Sequence, residues 1–369
     1  MVKISVIIPI YNVEAYLCEC LNHIVNQSFR DIEIICINDG STDRSSDILR
    51  EYGENDSRIR IIDQTNHGLG AVRNRGIELA KGDYVYFMDG DDYLELTALE
   101  ESYELSKKHD LDFLIFKIRN FDDKTKNEIS DDYYTMPYLK RHVKDNVFNY
   151  ADIKDIALNL AVNTYGNFFK RDFISDLRFP EGLLFEDNVF FAKALFKAER
   201  IYFYDKFLYN RRMHEDSLSK TFSLNLLDTI EITDLLLDLI KEYGYLRHKP
   251  ELYYRIFNNI YSIFENAPDE FKEDVFLEIK KRYLKFKGKW ESDDYFKNKL
   301  NKRHKHIYNS AIQSDSACEF KARVKLFDRE FEIARLKKEN REIQKNLNKI
   351  KNENSIIKST KGFKLIKGK

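Results

Sequence analysis

The feature that most constrains this chain is a rhythm. Apolar runs at residues 4–10, 32–37, 58–62 and 84–88 alternate with amphipathic segments at 13–27, 43–52 and 70–80. Continuous apolar runs, as opposed to alternating ones, suit strands buried on both faces of a parallel sheet. Such strands need crossover connections, and strand–helix alternation at this spacing means right-handed βαβ units. A further helix at 96–108 and a strand at 111–118 continue the pattern, and the charged stretch 122–132 reads as an exposed loop. The expected fold class is α/β, a mostly parallel sheet flanked by helices.

A parallel sheet gathers the loops that follow its strands along one edge, where open α/β sheets bind ligands. The fourth run, Tyr84-Val85-Tyr86-Phe87-Met88, leads there into Asp89-Gly90-Asp91-Asp92. Carboxylates this close repel one another and resist burial unless a cation sits among them. Mg²⁺ and Mn²⁺ take oxygen ligands and need few carboxylates when substrate phosphates complete the shell. A solvated Asp-Gly turn is the plain alternative. The preceding loops favour the ligand site: Pro9, Tyr11, Asn12 and Glu14 follow the first run, Asp39 the second, and Asn66, Gly68, Gly70, Arg73 and Asn74 the third. An aromatic ring and a carboxylate suit the face and N–H edge of a base, and an arginine suits phosphate oxygens. Together they describe a nucleoside-diphosphate site. Gly68-Leu69-Gly70 also invites a dinucleotide reading, but the third glycine is absent and the loop follows the wrong strand.

Composition narrows the partners. Charged residues make up 33% of the 369, but the net charge is −1, which gives no electrostatic footprint for nucleic acid. The four cysteines (Cys18, Cys20, Cys36, Cys318) have no paired spacing and read as reduced thiols. With no signal-peptide pattern at the N-terminus and no apolar run of membrane-spanning length, the expected location is cytoplasmic.

Taken in order, Val6-Ile7-Ile8-Pro9-Ile10-Tyr11-Asn12, Ile37-Asn38-Asp39-Gly40-Ser41-Thr42-Asp43, the run Asn66 to Asn74, and Phe87-Met88-Asp89-Gly90-Asp91-Asp92 resemble glycosyltransferase family 2. The resemblance covers roughly residues 1–220 and implies a GT-A fold, a nucleoside-diphosphate sugar donor (UDP-sugar first), Mn²⁺ or Mg²⁺ as cofactor, and inversion at the anomeric carbon. Carried over, it implies Pro9, Tyr11, Glu14 and Asp39 at the nucleoside, Arg73 near the diphosphate, Asp89 and Gly90 at the donor, and Asp91 with Asp89 at the metal. Phe179 to Asp187 is similar to the family's acceptor-side segment, which implies Asp187, beside Glu186, as the base. As a helix-start acid, Asp187 is expected to stay ionised through backbone N–H groups. Tyr209 to Ser217 is similar to the closing loop, implying donor contacts for Arg212 and Ser217 and a metal contact for His214. Asn167 departs from the lysine many relatives carry there. The function implied is transfer of a sugar to a glycan or lipid-linked acceptor in surface polysaccharide synthesis. The alternative is a non-catalytic nucleotide-sugar-binding or scaffolding subunit acting through its C-terminal segment.

The remainder reads as a helical extension over 221–325, a coiled-coil helix over 326–358 and a basic tail over 359–369. In the coiled coil, Ile333, Asn340, Leu347 and Asn354 fall at one core position and Leu336, Ile343, Ile350 and Ile357 at the other. This seam predicts a parallel homodimer through 333–357, against a single amphipathic helix folded back on its own chain. Lysines mixed with apolar residues in the tail predict weak peripheral membrane contact.

Overall fold

The computed structural model describes residues 2–214 and 222–366, and the chain divides into two compact units, 1–256 and 257–369. In the first unit nine strands form one sheet: β1 (Ile4–Ile10), β2 (Ile32–Asp39), β3 (Ile59–Gln64), β4 (Tyr84–Phe87), β5 (Tyr93–Leu94), β6 (Phe113–Asp122), β7 (Glu128–Ile129), β8 (Asn167–Lys170) and β9 (Ile201–Met213). Their order is β3-β2-β1-β4-β8-β6-β9-β5, with β7 paired to β6. β1 pairs in parallel with β2 and β4, and β2 with β3, as the rhythm predicts. Helices α1 (Leu17–Val25), α2 (Ser45–Asn55), α3 (Leu69–Leu79) and α4 (Ala98–His109) fill the connections. The sheet is therefore mixed α/β and mostly parallel.

The two faces of β1 show why the run is apolar throughout. Ile4, Val6, Ile8 and Ile10 pack with Leu17, Leu21 and Ile24 of α1. Ile7 points the other way, onto α3, where a Cβ on Gly76 would lie 2.4 Å from the Ile7 side chain. Glycine is required there because helix and sheet touch. Each such aliphatic side chain contributes about 1.5–3 kcal/mol on full burial.

Two features depart from the sequence reading. β8 lies antiparallel between β4 and β6, a strand that no local pattern marked. The stretch 122–132 is not all loop, because Glu128–Ile129 returns antiparallel on β6. A register shift at Lys117 in the β6·β9 pairing then re-aims the C-terminal half of β9 towards the site. Helices α5 (Asp187–Lys197) and α6 (Thr229–Glu242) follow.

The second unit is helical. Its longer helices are α7 (Lys272–Ser292), α8 (Lys302–Gln313) and α9 (Ala317–Ile366). Its core is aromatic: Phe257, Tyr283, Trp290, Phe296 and Tyr308 pack edge to face and tilted. The first turns of α9 belong to this core through Phe320 and Val324, both buried. Arg303 grips Asp328 with two hydrogen bonds (2.8 and 3.0 Å), and His306 stacks on Phe327. Beyond that point the apolar residues of α9 up to Ile356 are exposed. No helix among the described residues is long and apolar enough to cross a membrane.

Candidate active site

The loop after β1 and the loop after β2 are sewn together. Thr42 N–H donates to Asn12 Oδ1 (2.8 Å), Asn12 N–H to Ser41 Oγ (3.1 Å), and Glu14 N–H to Asp43 Oδ2 (2.9 Å). Glu14 in turn accepts from Arg44 N–H (2.6 Å) at the start of α2. The Asp39 carboxylate, buried at the end of β2, accepts from the backbone N–H groups of His67 and Gly68 (2.9 Å each) and from Gln64 (2.8 Å). Three loops thus have fixed positions, and Tyr11 remains 52% exposed at their mouth. Pro9 and Gly90 meet beneath them, where a Cβ on Gly90 would lie 3.3 Å from the Pro9 carbonyl.

The Asp cluster divides by burial. Asp92 is buried; Tyr209 Oη donates to it (2.6 Å), as does Arg212 N–H (2.7 Å). Burial, then Asp91 and Asp89, push its carboxyl well above the usual range. Asp92 therefore anchors the loop to β9. Asp89 and Asp91 stay half-buried and face outward. His214 Nε2 lies 3.0 Å from Asp91 Oδ2, while its buried Nδ1 has no hydrogen-bond partner.

Arg73 is placed differently from the expected diphosphate contact. It is 3% exposed, donating through Nη2 to Asp89 (3.0 Å) and through Nη1 to Glu186, with Phe179 beneath it (5.6 Å). The bridge depends on α3 approaching the 179–187 segment closely. A Cβ on Gly70 would lie 2.3 Å from the Pro180 carbonyl, so only glycine fits. Asn74 completes the clasp, donating to the Phe179 carbonyl (3.0 Å) and Glu181 (2.9 Å) and accepting from Phe179 N–H (2.8 Å). The segment then passes through Phe185 at φ +67°, a strained conformation for a bulky residue, directly before Glu186 and Asp187.

Asp187 opens α5 as expected, but its ionisation differs. Burial, then the Glu186 charge, push its carboxyl up to about 7, and its recorded hydrogen bond comes from the Asn188 side chain (3.1 Å). The helix start does not outweigh the neighbouring carboxylate. Glu186 is itself raised, by burial against the opposing pull of Arg73.

Arg212 also departs from expectation. Its side chain is buried between Tyr16 and Phe121, giving Nη1 to Asp123 (2.6 Å), Nη2 to Glu19 and Nε to the Asp91 carbonyl (2.8 Å). Its guanidinium supports the Asp91 loop from behind. Arg211, which sequence reasoning passed over, lies on the opposite side of β9 and has no carboxylate partner among the described residues. It rests over the Tyr134 ring (5.3 Å), and its Nη1 meets the Met213 sulfur (3.2 Å). Burial works against its charge, but Tyr165, Tyr134 and Asp92 hold it above the ordinary guanidinium range, and it in turn pulls on Asp89. Strand alternation was the available signal, since neighbours in a strand face opposite ways. Ser217 lies outside the described residues. Asn167 is buried, donating to the Asn163 carbonyl (2.7 Å), with its Oδ1 unpartnered.

Asp89 and Asp91, with His214 beside them, suit a hard divalent ion whose remaining ligands come from substrate phosphates. Among the described residues no three His, Cys, Asp or Glu side chains converge tightly enough to hold one unaided.

Comparison with known proteins gives a family and a fold. The model of "Glycosyl transferase family 2" matches residues 5–177. The chain is 35% identical to Glycosyltransferase GlyA of Streptococcus pneumoniae serotype 4 over 225 residues, 60% of this chain but 32% of that one. It is 30% identical to Glycosyltransferase GlyG of the same organism over 223 residues, 59% of this chain and 73% of the relative. The chain thus spans about a third of one relative and most of the other. In fold it resembles S. aureus TarS 1-349, solved in complex with UDP-GlcNAc, with a TM-score of 0.66 at 20% identity, covering 89% of this chain and 92% of that one.

Proposed function

The chain belongs to glycosyltransferase family 2, and from that premise we propose that it is a metal-dependent, inverting transferase. It moves a sugar from a nucleoside-diphosphate donor, UDP-linked as in the TarS complex, to a glycan or lipid-linked acceptor of a surface polysaccharide. What carries the reading is the buried bridge Asp89–Arg73–Glu186, which locks the donor-side carboxylates to the segment presenting Asp187.

In this reading Asp187 takes the proton of the acceptor hydroxyl. The hydroxyl oxygen forms the new bond to the anomeric carbon as the bond to the diphosphate oxygen breaks on the opposite face, which inverts the centre. Pro9, Tyr11 and the loops pinned by Glu14 and Asp39 receive the nucleoside. Asp89 and Asp91, with His214, would hold Mn²⁺ or Mg²⁺, which would offset charge on the leaving diphosphate. Arg211, which rests over Tyr134 and is unpaired with carboxylates among the described residues, takes a phosphate oxygen beside them. Arg73 and Arg212 position carboxylates. The enzyme works on the cytoplasmic side, its basic tail in loose contact with the membrane that carries the acceptor.

The test is release of UDP from a panel of UDP-sugars by the purified chain with and without EDTA, beside Asp91→Asn and Asp187→Asn. Metal-dependent release lost in Asp91→Asn is the expected result. Donor binding with no release under any condition would favour the scaffolding subunit.

A further inference from the structure

The distal part of α9 presents an apolar stripe to solvent. Ile333, Leu336, Ile343, Leu347 and Ile350 are between 42 and 58% exposed, on a helix whose earlier turns are buried in the core of its own unit. Five aliphatic side chains aligned on one helix and left in water mark an interaction surface. Their spacing of three and four residues is that of a two-stranded seam.

The flanking charges identify the occupant. With Ile333 at core position a, the g positions are Glu332, Glu339, Asn346 and Glu353, and the e positions are Lys337, Gln344, Lys351 and Lys358. In a parallel, in-register pair each g residue faces the e residue five positions on in the other chain. The facing pairs are then Glu332–Lys337, Glu339–Gln344, Asn346–Lys351 and Glu353–Lys358, with no like charges opposed. An antiparallel pair brings g against g and e against e, setting glutamate on glutamate and lysine on lysine. Within its own helix Glu332 already meets Arg335 (2.7 Å), while Lys337 and Lys351 have no ionic partner among the described residues. Asn340 and Asn354 at a positions face their own copies only when the register is exact to the residue, and elsewhere they would lie against an aliphatic side chain.

We propose that the apolar face of α9 from Ile333 onward docks a second copy of this chain, as a parallel, in-register, two-stranded coiled coil. The seam runs for about 36 Å at 1.5 Å per residue. Parallel register places the aromatic cores of both second units at the same end of the seam. The proposal is independent of the transfer reaction.

Sedimentation equilibrium on the full chain at micromolar concentration tests it. A dimer is expected; a monomer or a trimer overturns it. Lys337→Glu with Lys358→Glu sets glutamate against Glu332 and Glu353 of the other copy and should weaken dimerisation at least tenfold. Adding Glu332→Lys and Glu353→Lys to the same chain should restore it. An unchanged dimer in the first variant overturns the parallel form, because antiparallel pairing merely exchanges one like-charge set for another. Asn340→Cys, in a chain with Cys18→Ser and Cys318→Ser, should cross-link as a disulfide dimer on oxidation, and its failure to do so overturns the register. Circular dichroism and thermal melts identify any variant that has failed to fold.

Discussion

The edge of the sheet and the distal half of α9 break opposite rules. At the sheet edge, charged groups are buried: Arg73, Glu186, Asp92 and Arg212 are each less than 5% exposed. On α9, apolar groups are exposed. Folding opposes both, since buried charge loses water and exposed hydrocarbon orders it. The sheet edge offsets its cost internally, by pairing Arg73 and Arg212 with two carboxylates each. The α9 stripe has no such compensation within the described residues of its helix. The contrast separates charges compensated within the fold from an apolar surface that the proposed association would cover.

The largest effects should come from the sheet edge. Asp187→Asn should leave donor binding intact and slow transfer by about 10²–10⁴-fold, the usual loss for a general base. Single-turnover transfer beside UDP titration checks this, and an active Asp187→Asn with a dead Glu186→Gln would reassign the base. Arg73→Ala should destabilise the first unit by about 3–5 kcal/mol, because Glu186 is left buried without its cation. Urea unfolding followed by the first unit's signal measures it. If loss is confined to turnover, the bridge is not structural.

The pH dependence sharpens the same contrast. The folded carboxyl of Asp187, at about 7, lies above its unfolded value, so the fold favours the neutral acid. That stabilisation is present at acid pH and is lost as pH rises through about 7. Transfer, which needs the carboxylate, should rise through the same window. Glu186→Gln should move the midpoint down, since Glu186 is the second cause of the shift. A pH–rate profile flat from 5 to 9 would remove Asp187 from the role.

Smaller effects distinguish the two adjacent arginines. Arg211→Ala should raise the KM for donor roughly tenfold, about 1.4 kcal/mol for a lost charge-assisted contact. Arg212→Ala should instead lower the melting temperature, since Glu19 and Asp123 lose their shared cation. The smallest effect on chemistry should follow truncation after Asp328. The chain should become monomeric while turnover on a soluble acceptor stays within about twofold, because α9 contributes buried side chains only up to Val324. A large loss would tie association to catalysis.

How much was legible in advance follows from how local each cause is. The parallel strands β1 to β4 and their helices show in composition, because a strand covered on both faces must be apolar at every position. Asp89 and Asp91 were legible as close carboxylates at a strand end, Asp187 only through the family resemblance, and the heptads of α9 because side-chain period and charge lie along one element. Tertiary structure alone decided the rest. β8 enters the sheet antiparallel through pairings distant in sequence, and the tie of Asp92 to Tyr209 spans 117 positions. The assignment of Arg73 to a carboxylate bridge rests on Gly70 meeting Pro180. The different partners of Arg211 and Arg212, Tyr134 for one and Glu19 with Asp123 for the other, rest on which face of β9 each side chain leaves from. Asp187 titrates high because packing sets Glu186 beside it in a dry place, whereas a helix start read from sequence promises only a favourable dipole. Periodicity is a property of neighbours along the chain; desolvation and charge pairing are set by whatever the fold brings near.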